Sequence, residues 1–142
     1  NIFPFNIAIG NNTEKKNFNF IDNSGRSSFH SSLVDNIDKI QTIEVKVDTI
    51  DNYVRKHNIE KIDLLKIDTE GYEMQVLKGL QDKIKKIKLI HFEHHFDDMI
   101  MKDYKLSNIH NYLIKNGFKK KFKIKMKFRK SFEYLYLNKD FT

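Results

Sequence analysis

The sequence has no cysteine and no tryptophan, and it has only one proline and five glycines among its 142 residues. The absence of cysteine excludes a disulfide framework and a thiolate zinc site. No apolar run approaches the roughly 20 residues that a membrane-spanning helix needs, and no signal-peptide pattern opens the chain. We therefore expect a protein without a membrane span, cytoplasmic by default. With one proline and few glycines, we also expect no interdomain hinge.

Apolar residues and one local excess of positive charge are what the sequence does have. Hydrophobic residues make up 39% and aromatic residues 13%, which is enough to build the core of a single folded unit. The formal net charge is +7, but residues 119–130 alone hold eight basic residues and no acidic one. The rest of the chain is close to neutral. The basic character is thus confined to one window.

Alternation of apolar and polar residues, interrupted by helical spacing, predicts a series of strands and helices that ends in a strand pair. The order of these elements is typical of an α/β sheet with an antiparallel edge. We predict strands at 2–9, 17–21, 41–47, 62–67, 88–92, 121–128 and 132–137, helices at 72–81 and 107–117, a further helix capped by Asp48 or Thr49, and a polar loop at 24–32.

The segment at the end of the fourth predicted strand carries the strongest signal. Leu64 and Leu65 are adjacent, which is typical of a strand that is covered on both faces. Lys66, Asp68 and Glu70 would share one face, with Lys66 and Asp68 about 6.6–7 Å apart along the strand, so that their charges offset one another. Two interpretations follow. The carboxylates either cap the next helix or lie in a ligand crevice beyond the strand ends, where Gly71 allows a sharp turn.

The run at residues 61–80, KIDLLKIDTEGYEMQVLKGL, is similar to the hallmark segment of the FkbM family of S-adenosylmethionine-dependent methyltransferases. Flanking segments at 47–53 and 90–95 resemble the family as well, so the resemblance covers residues 47–95. The terminal strand pair fits only in its general pattern. The resemblance implies a Rossmann-like methyltransferase sheet, mostly parallel with an antiparallel terminal strand, in the strand order 3-2-1-4-5-7-6.

This sequence departs from the family pattern in lacking strands 1 and 2. Residues 2–9, 62–68 and 88–92 would be strands 3, 4 and 5, and the terminal pair strands 6 and 7. No GxGxxG-like run precedes Asp68, so the loop that carries the cofactor's methionine part is absent. We expect strand 4 to have an open edge and strand 3 to have no neighbour. Residues 1–142 would then be the C-terminal portion of a single methyltransferase domain, inactive and weak in cofactor binding when alone.

The resemblance also implies a reaction and a set of site residues. The reaction would be O-methylation of a sugar or other small-molecule hydroxyl, with S-adenosylmethionine as cofactor and the hydroxyl acceptor as partner. Asp68 would orient the cofactor or the hydroxyl, and Glu70 or Glu93 would act as general base. The implied catalytic residues are Asp68, Glu70 and Glu93, the cofactor-binding residues Ala8, Ile9 and Asp68, and the substrate-binding residues Gly71, His94 and His95.

Two further patterns allow a competing function. His91, Glu93 and His95 alternate on one strand, but they are spread too far along it to chelate a metal easily, so we predict no metal site. The basic window at 119–130 could bind nucleic acid or another anionic partner, which would suit a non-catalytic truncated module with a basic hairpin. We favour the other interpretation, in which lysines protect an edge strand from pairing, and we do not expect a nucleic-acid partner.

Overall fold

The structure, a computed structural model, describes residues 2–21, 27, 29, 40–96, 100, 102–127 and 130–141. The strands are β1 (Ala8–Ile9), β2 (Glu14–Ile21), β3 (Ile40–Asp48), β4 (Ile62–Ile67), β5 (Ile87–His95), β6 (Phe118–Lys125) and β7 (Ser131–Asn138). The α-helices are α1 (Ile50–Lys56), α2 (Glu73–Lys78) and α3 (Leu106–Lys115), and short 3₁₀ helices span Gln81–Lys86 and Lys139–Phe141. The chain is therefore an α/β protein, as predicted.

The strands form two mixed sheets, with the orders β1-β3-β2 and β4-β5-β7-β6. The second order is the 4-5-7-6 order that the family resemblance implies. The expectation of a mostly parallel sheet needs correction, because within the described residues only β1–β3 and β4–β5 pair in parallel, while β2–β3, β5–β7 and β6–β7 are antiparallel. The physical reason is connectivity for two of these pairs: α2 joins β4 to β5 by a crossover, whereas a short link joins β6 to β7.

The predicted strand at 2–9 is mostly irregular. Only Ala8 and Ile9 form a strand, and Ile2 and Phe3 are 93% and 73% exposed. The expectation that this strand has no neighbour is wrong, because it pairs in parallel with Val47 and Asp48 of β3. Among the described residues β4 pairs with β5 alone, in agreement with the predicted open edge. The predicted polar loop at 24–32 lies largely outside the described residues.

The core lies on one face of the four-stranded sheet. Strand alternation directs Ile67, Ile90 and Phe92 to this face, where they pack with the helices. Each such side chain contributes about 1.5–3 kcal/mol on burial. The prediction that β4 is covered on both faces is wrong for Leu64, which is 53% exposed on the opposite face. The core comprises Ile50, Val54, Ile67, Tyr72, Met74, Val76, Leu77, Leu80, Ile84, Ile87, Ile90, Phe92, Tyr104, Ile109, Leu113, Phe118, Tyr134 and Tyr136.

Local signals account for most helix ends. Thr49, one of the two predicted caps, accepts a hydrogen bond from the Asn52 backbone N–H at 3.1 Å and begins α1. Gly117 has a φ of 87° and follows α3, as predicted. The helix predicted at 72–81 is shorter than expected because α2 ends at Lys78. In the described part of the chain, no helix is long and apolar enough to cross a membrane.

Candidate functional site

A cavity of about 730 Å³ lies at the carboxyl end of β4, facing the β1–β3 pair. Its size is within the roughly 300–1,000 Å³ of small-molecule sites. Ala8 and Ile9 of β1 line it, and Asp68 lines it from the end of β4. The structure thus brings together the three residues that the sequence analysis assigned to the cofactor.

The walls of this cavity combine apolar side chains with two acidic residues, Glu44 and Asp68, and one basic residue. The Asp68 carboxylate is 44% exposed and pairs with Lys66, whose Nζ lies 3.1 Å from Asp68 Oδ2. This ion pair confirms that the two charges offset one another. Tyr72 also lines the cavity, and Lys16 donates a hydrogen bond to its hydroxyl at 2.9 Å. A partly apolar cleft with accessible carboxylates suits a ligand that has both an apolar ring and a positively charged or hydroxyl group.

A second group of polar side chains lies beside the cavity and joins the ends of β4 and β5. His95 Nε2 is 3.3 Å from Glu70 Oε2 and 3.5 Å from Glu93 Oε1. All three side chains are at most 14% exposed. Parallel pairing of β4 with β5 brings them together, because it sets the carboxyl ends of both strands at one edge of the sheet. The predicted catalytic residues Glu70 and Glu93 therefore share one contact, His95.

Burial is the main influence on the Glu70 carboxyl. It raises the pKa of Glu70, the charge on His95 lowers it, and the nearby carboxylates of Glu93, Asp68 and Glu73 raise it further. A carboxyl group with a raised pKa holds a proton more strongly than an exposed one. When it is ionised, the Glu70 carboxylate is consequently a stronger base than an exposed glutamate.

The turn that carries Glu70 has an unusual backbone. Glu70 has a φ of 48°, a left-handed conformation that non-glycine residues rarely adopt, and Gly71 follows with a φ of 99°. Glu73 accepts hydrogen bonds from this turn, and Tyr104 donates one to Glu73. Neither residue was predicted from the sequence. An acid in the first turn of a helix was a signal for Glu73, but no spacing pointed to Tyr104.

The remaining predicted residues do not line the cavity. Gly71 is buried in the turn, and Glu70, Glu93, His94 and His95 are not among the residues that line the cavity. His94 lies on the core face, opposite Glu93 and His95, because side chains alternate along β5. Its ring lies against Phe96 and Tyr104.

No three His, Asp or Glu side chains within the described ranges are arranged to hold a metal ion. The alternating histidines of β5 are instead engaged separately. His91 Nε2 lies 2.5 Å from Glu133 Oε2 on β7, whereas His95 lies against Glu70 and Glu93.

Residues 119–125 of the basic window lie on an edge strand. β6 pairs with β7, and no other strand of the described residues pairs with it. Lys123 is exposed like its neighbours, but its Nζ lies 3.8 Å from the centroid of the Phe132 ring. A cation over an aromatic ring stabilises the β6–β7 pair. One of the basic residues is therefore engaged within the fold.

Comparisons with known proteins found a family model and a relative that match parts of this chain. The family model described as the methyltransferase FkbM domain matches residues 2–120, a longer stretch than the motif-bearing residues 47–95. AMB antimetabolite synthetase AmbE of Pseudomonas aeruginosa is 33% identical over 84 residues, which cover 54% of this chain. The matched region is only 4% of that protein's length. No solved structure matches the chain.

Proposed function

The chain belongs to the methyltransferase FkbM domain family, and on this premise we propose that it forms part of an S-adenosylmethionine-dependent methyltransferase. The family implies methyltransferase activity. Our proposal adds the donor and the acceptor: S-adenosylmethionine and the hydroxyl of a sugar or other small molecule. The observation that carries the proposal is the cavity at the end of β4, which Ala8, Ile9 and Asp68 line together.

The residues of the cavity fit this donor. Ala8 and Ile9 offer an apolar surface for an adenine ring, and the half-exposed Asp68 carboxylate can accept hydrogen bonds from a cationic amino group. When bound, S-adenosylmethionine supplies a methyl group on a positively charged sulfur. Acidic groups at the wall of a partly apolar cleft favour such a cation, because opposite charges attract more strongly away from bulk water.

Methylation of a hydroxyl releases its proton, and the polar group beside the cavity can receive it. In this proposal Glu70 or Glu93 takes the proton as the oxygen–methyl bond forms and the sulfur–methyl bond breaks. His95 lies within 3.5 Å of both carboxylates and can share that proton. Gly71 and His95 border the acceptor, and we assign His94 a supporting role behind them.

The open edge of β4 bears on how the chain works. The two sheets are not hydrogen-bonded to one another in the described residues, and an exposed strand edge is a site for pairing with further chain. We propose that residues 1–142 act as the C-terminal portion of a methyltransferase domain and that further strands of this domain pair with β4.

Replacement of Asp68 tests the donor site. In the gene product that contains this chain, Asp68→Ala should weaken donor binding about 10- to 100-fold, the loss expected for a charge-assisted hydrogen bond of about 1.5–3 kcal/mol. Isothermal calorimetry and a methyl-transfer assay measure the two effects. Asp63→Ala is the matched control, because Asp63 is an exposed acid on the same strand. Its carboxylate likewise pairs with a lysine, Lys61. Unchanged donor binding in Asp68→Ala would count against the proposed site.

A further inference from the structure

The Glu73 carboxylate is the centre of a buried hydrogen-bond cluster beneath the Glu70 turn. Glu73 is 3% exposed. Its Oε1 accepts from the Thr69 backbone N–H at 3.3 Å, from the Thr69 hydroxyl at 3.1 Å and from the Gly71 backbone N–H at 3.0 Å. The Tyr104 hydroxyl donates to Oε2. One side chain therefore binds the residues on both sides of Glu70.

These bonds hold the turn in the conformation that directs Glu70 toward β5. Glu70 is left-handed, with a φ of 48°, and a residue with a β-carbon adopts this conformation only where its surroundings hold it. With the amides of Thr69 and Gly71 bound to the same oxygen, the peptide between them has little freedom. The Glu70 carboxylate then reaches His95 Nε2 at 3.3 Å.

Tyr104 connects this cluster to a distant part of the chain. Tyr104 is 9% exposed and precedes α3. Burial is the largest cause that raises the pKa of Tyr104, and the Glu73 carboxylate raises it further. The phenol consequently stays protonated and remains a donor to Glu73 across the working pH range. The residues just before α3 are thereby linked to the end of β4.

We propose that Glu73 and Tyr104 are positioning residues that hold Glu70 in place to receive the acceptor's proton. The inference rests on the proposed function, since it assigns Glu70 the proton. Neither side chain lines the cavity, so both act on the reaction through the turn and not through donor binding. Loss of either side chain should slow the methyl-transfer step and leave the affinity for the donor unchanged.

Two variants with matched controls test this inference in the gene product that contains the chain. Tyr104→Phe removes one donor to Glu73, and Glu73→Gln removes its charge. Tyr112→Phe is the control for the first, because its hydroxyl donates instead to the Leu77 carbonyl at 3.1 Å. Glu60→Gln, an exposed residue, is the control for the second. We expect kcat to fall about 10- to 100-fold in both test variants, because the general base is no longer held in position. The dissociation constant of S-adenosylmethionine should stay within about twofold of the parent value.

A structural readout separates positioning from stability and from the function itself. The nuclear Overhauser contact between the Glu70 γ-protons and the His95 ring should weaken in Tyr104→Phe and Glu73→Gln and persist in both controls. Persistence of this contact in a folded test variant, or an unchanged kcat, would overturn the inference. If the parent protein transfers no methyl group, the proposed function fails, while the Overhauser contact still decides whether Glu73 and Tyr104 position Glu70. Should Glu73→Gln fail to fold, Tyr104→Phe leaves the three other bonds to Glu73 intact and carries the test alone.

Discussion

At the scale of single residues, burial sets the protonation of the groups around the ends of β4 and β5. It raises the pKa of Glu70 and lowers the pKa of His94, and in each case it favours the uncharged form. The two side chains lie on opposite sides of the sheet end, one beside the proposed acceptor and one against the core. Burial thus makes the ionised Glu70 carboxylate a stronger base, which is useful in proton transfer. It also makes protonation of His94 in acid destabilise the folded state.

The His94 imidazole should make the protein lose stability as the pH falls. Burial, helped by the charges of Lys102 and His95, lowers the pKa of His94 from its ordinary 6.5 to about 4. The folded state therefore binds this proton less readily than the unfolded state. The contribution of neutral His94 to the free energy of unfolding is fully present above pH 6.5. It is lost progressively toward pH 4, and the loss is at most roughly 3 kcal/mol.

Urea unfolding between pH 4 and 7.5 measures this loss. His94→Gln should flatten the pH dependence, whereas His57→Gln, at an exposed histidine of the α1 end, should leave it as in the parent. Equal pH slopes in the parent and in His94→Gln would show that His94 does not carry the effect.

At the scale of elements, close backbone contact joins the first strand to the end of α2. A β-carbon placed on Gly79 would lie 2.0 Å from the Gly10 carbonyl oxygen, a distance that side chains essentially never reach. The Gly79 carbonyl also accepts a hydrogen bond from the Asp51 backbone N–H at 3.1 Å. This packing ends α2 at Lys78 and places β1 beside the cavity.

Substitution of Gly79 should be poorly tolerated. Gly79→Ala would force the Gly10 backbone to move, and overpacking of this kind costs about 1–3 kcal/mol or more. Chemical denaturation measures the change, with Lys78→Ala, one residue earlier and exposed, as the control. A loss below about 0.5 kcal/mol in Gly79→Ala would contradict the contact.

The lysines of β6 should protect the edge of the four-stranded sheet. Lys120, Lys121 and Lys125 are exposed on this edge strand, as are Phe122 and Ile124, at 42% and 52%. Replacement of the three lysines by Gln should increase aggregation, because charge on an edge strand opposes pairing between molecules. Light scattering measures the effect.

The same charge change on other surfaces is the control for β6. Replacement of three other exposed lysines by Gln, at Lys56, Lys78 and Lys115, removes the same charge without changing the strand edge.

We also expect binding of the parent protein to random-sequence RNA to be weak. Tight binding that falls steeply with salt would instead support the anionic-partner function.

At the scale of the whole molecule, the two sheets and the cavity between their strand ends suggest an arrangement that further chain completes. β4 has one partner in the described residues, and no GxGxxG-like run precedes Asp68. The face of the sheet opposite the core exposes Leu64. An open edge beside a partly covered face favours association with additional structure.

The isolated 142-residue chain should therefore bind the donor weakly and associate with itself. Calorimetry with S-adenosylmethionine and sedimentation at several concentrations measure the two properties, and the gene product that contains the chain is the reference for both. Low-micromolar donor binding by a monomeric isolated chain would contradict this prediction.

Much of the fold could be predicted because its signals are local. The Thr49 cap, the Gly117 helix end and the Lys66–Asp68 pair depend on residues close in sequence. The strand at 2–9 could not be predicted correctly, since its alternating pattern indicated length but not a partner. For the candidate site, the motif located the carboxylates at the end of β4, and the family resemblance selected Ala8 and Ile9.

The sequence by itself determined the family, the α/β class and the strand end at which the acidic residues gather, because periodicity and motif spacing express short-range geometry. Only the tertiary structure decided that Glu70 and Glu93 meet at His95, that Glu73 and Tyr104 support the turn, and that His94 lies on the opposite face. The Glu70–His95 and Glu73–Tyr104 contacts join residues 25 and 31 positions apart. They depend on strand register and on the packing of α3, which no local pattern specifies.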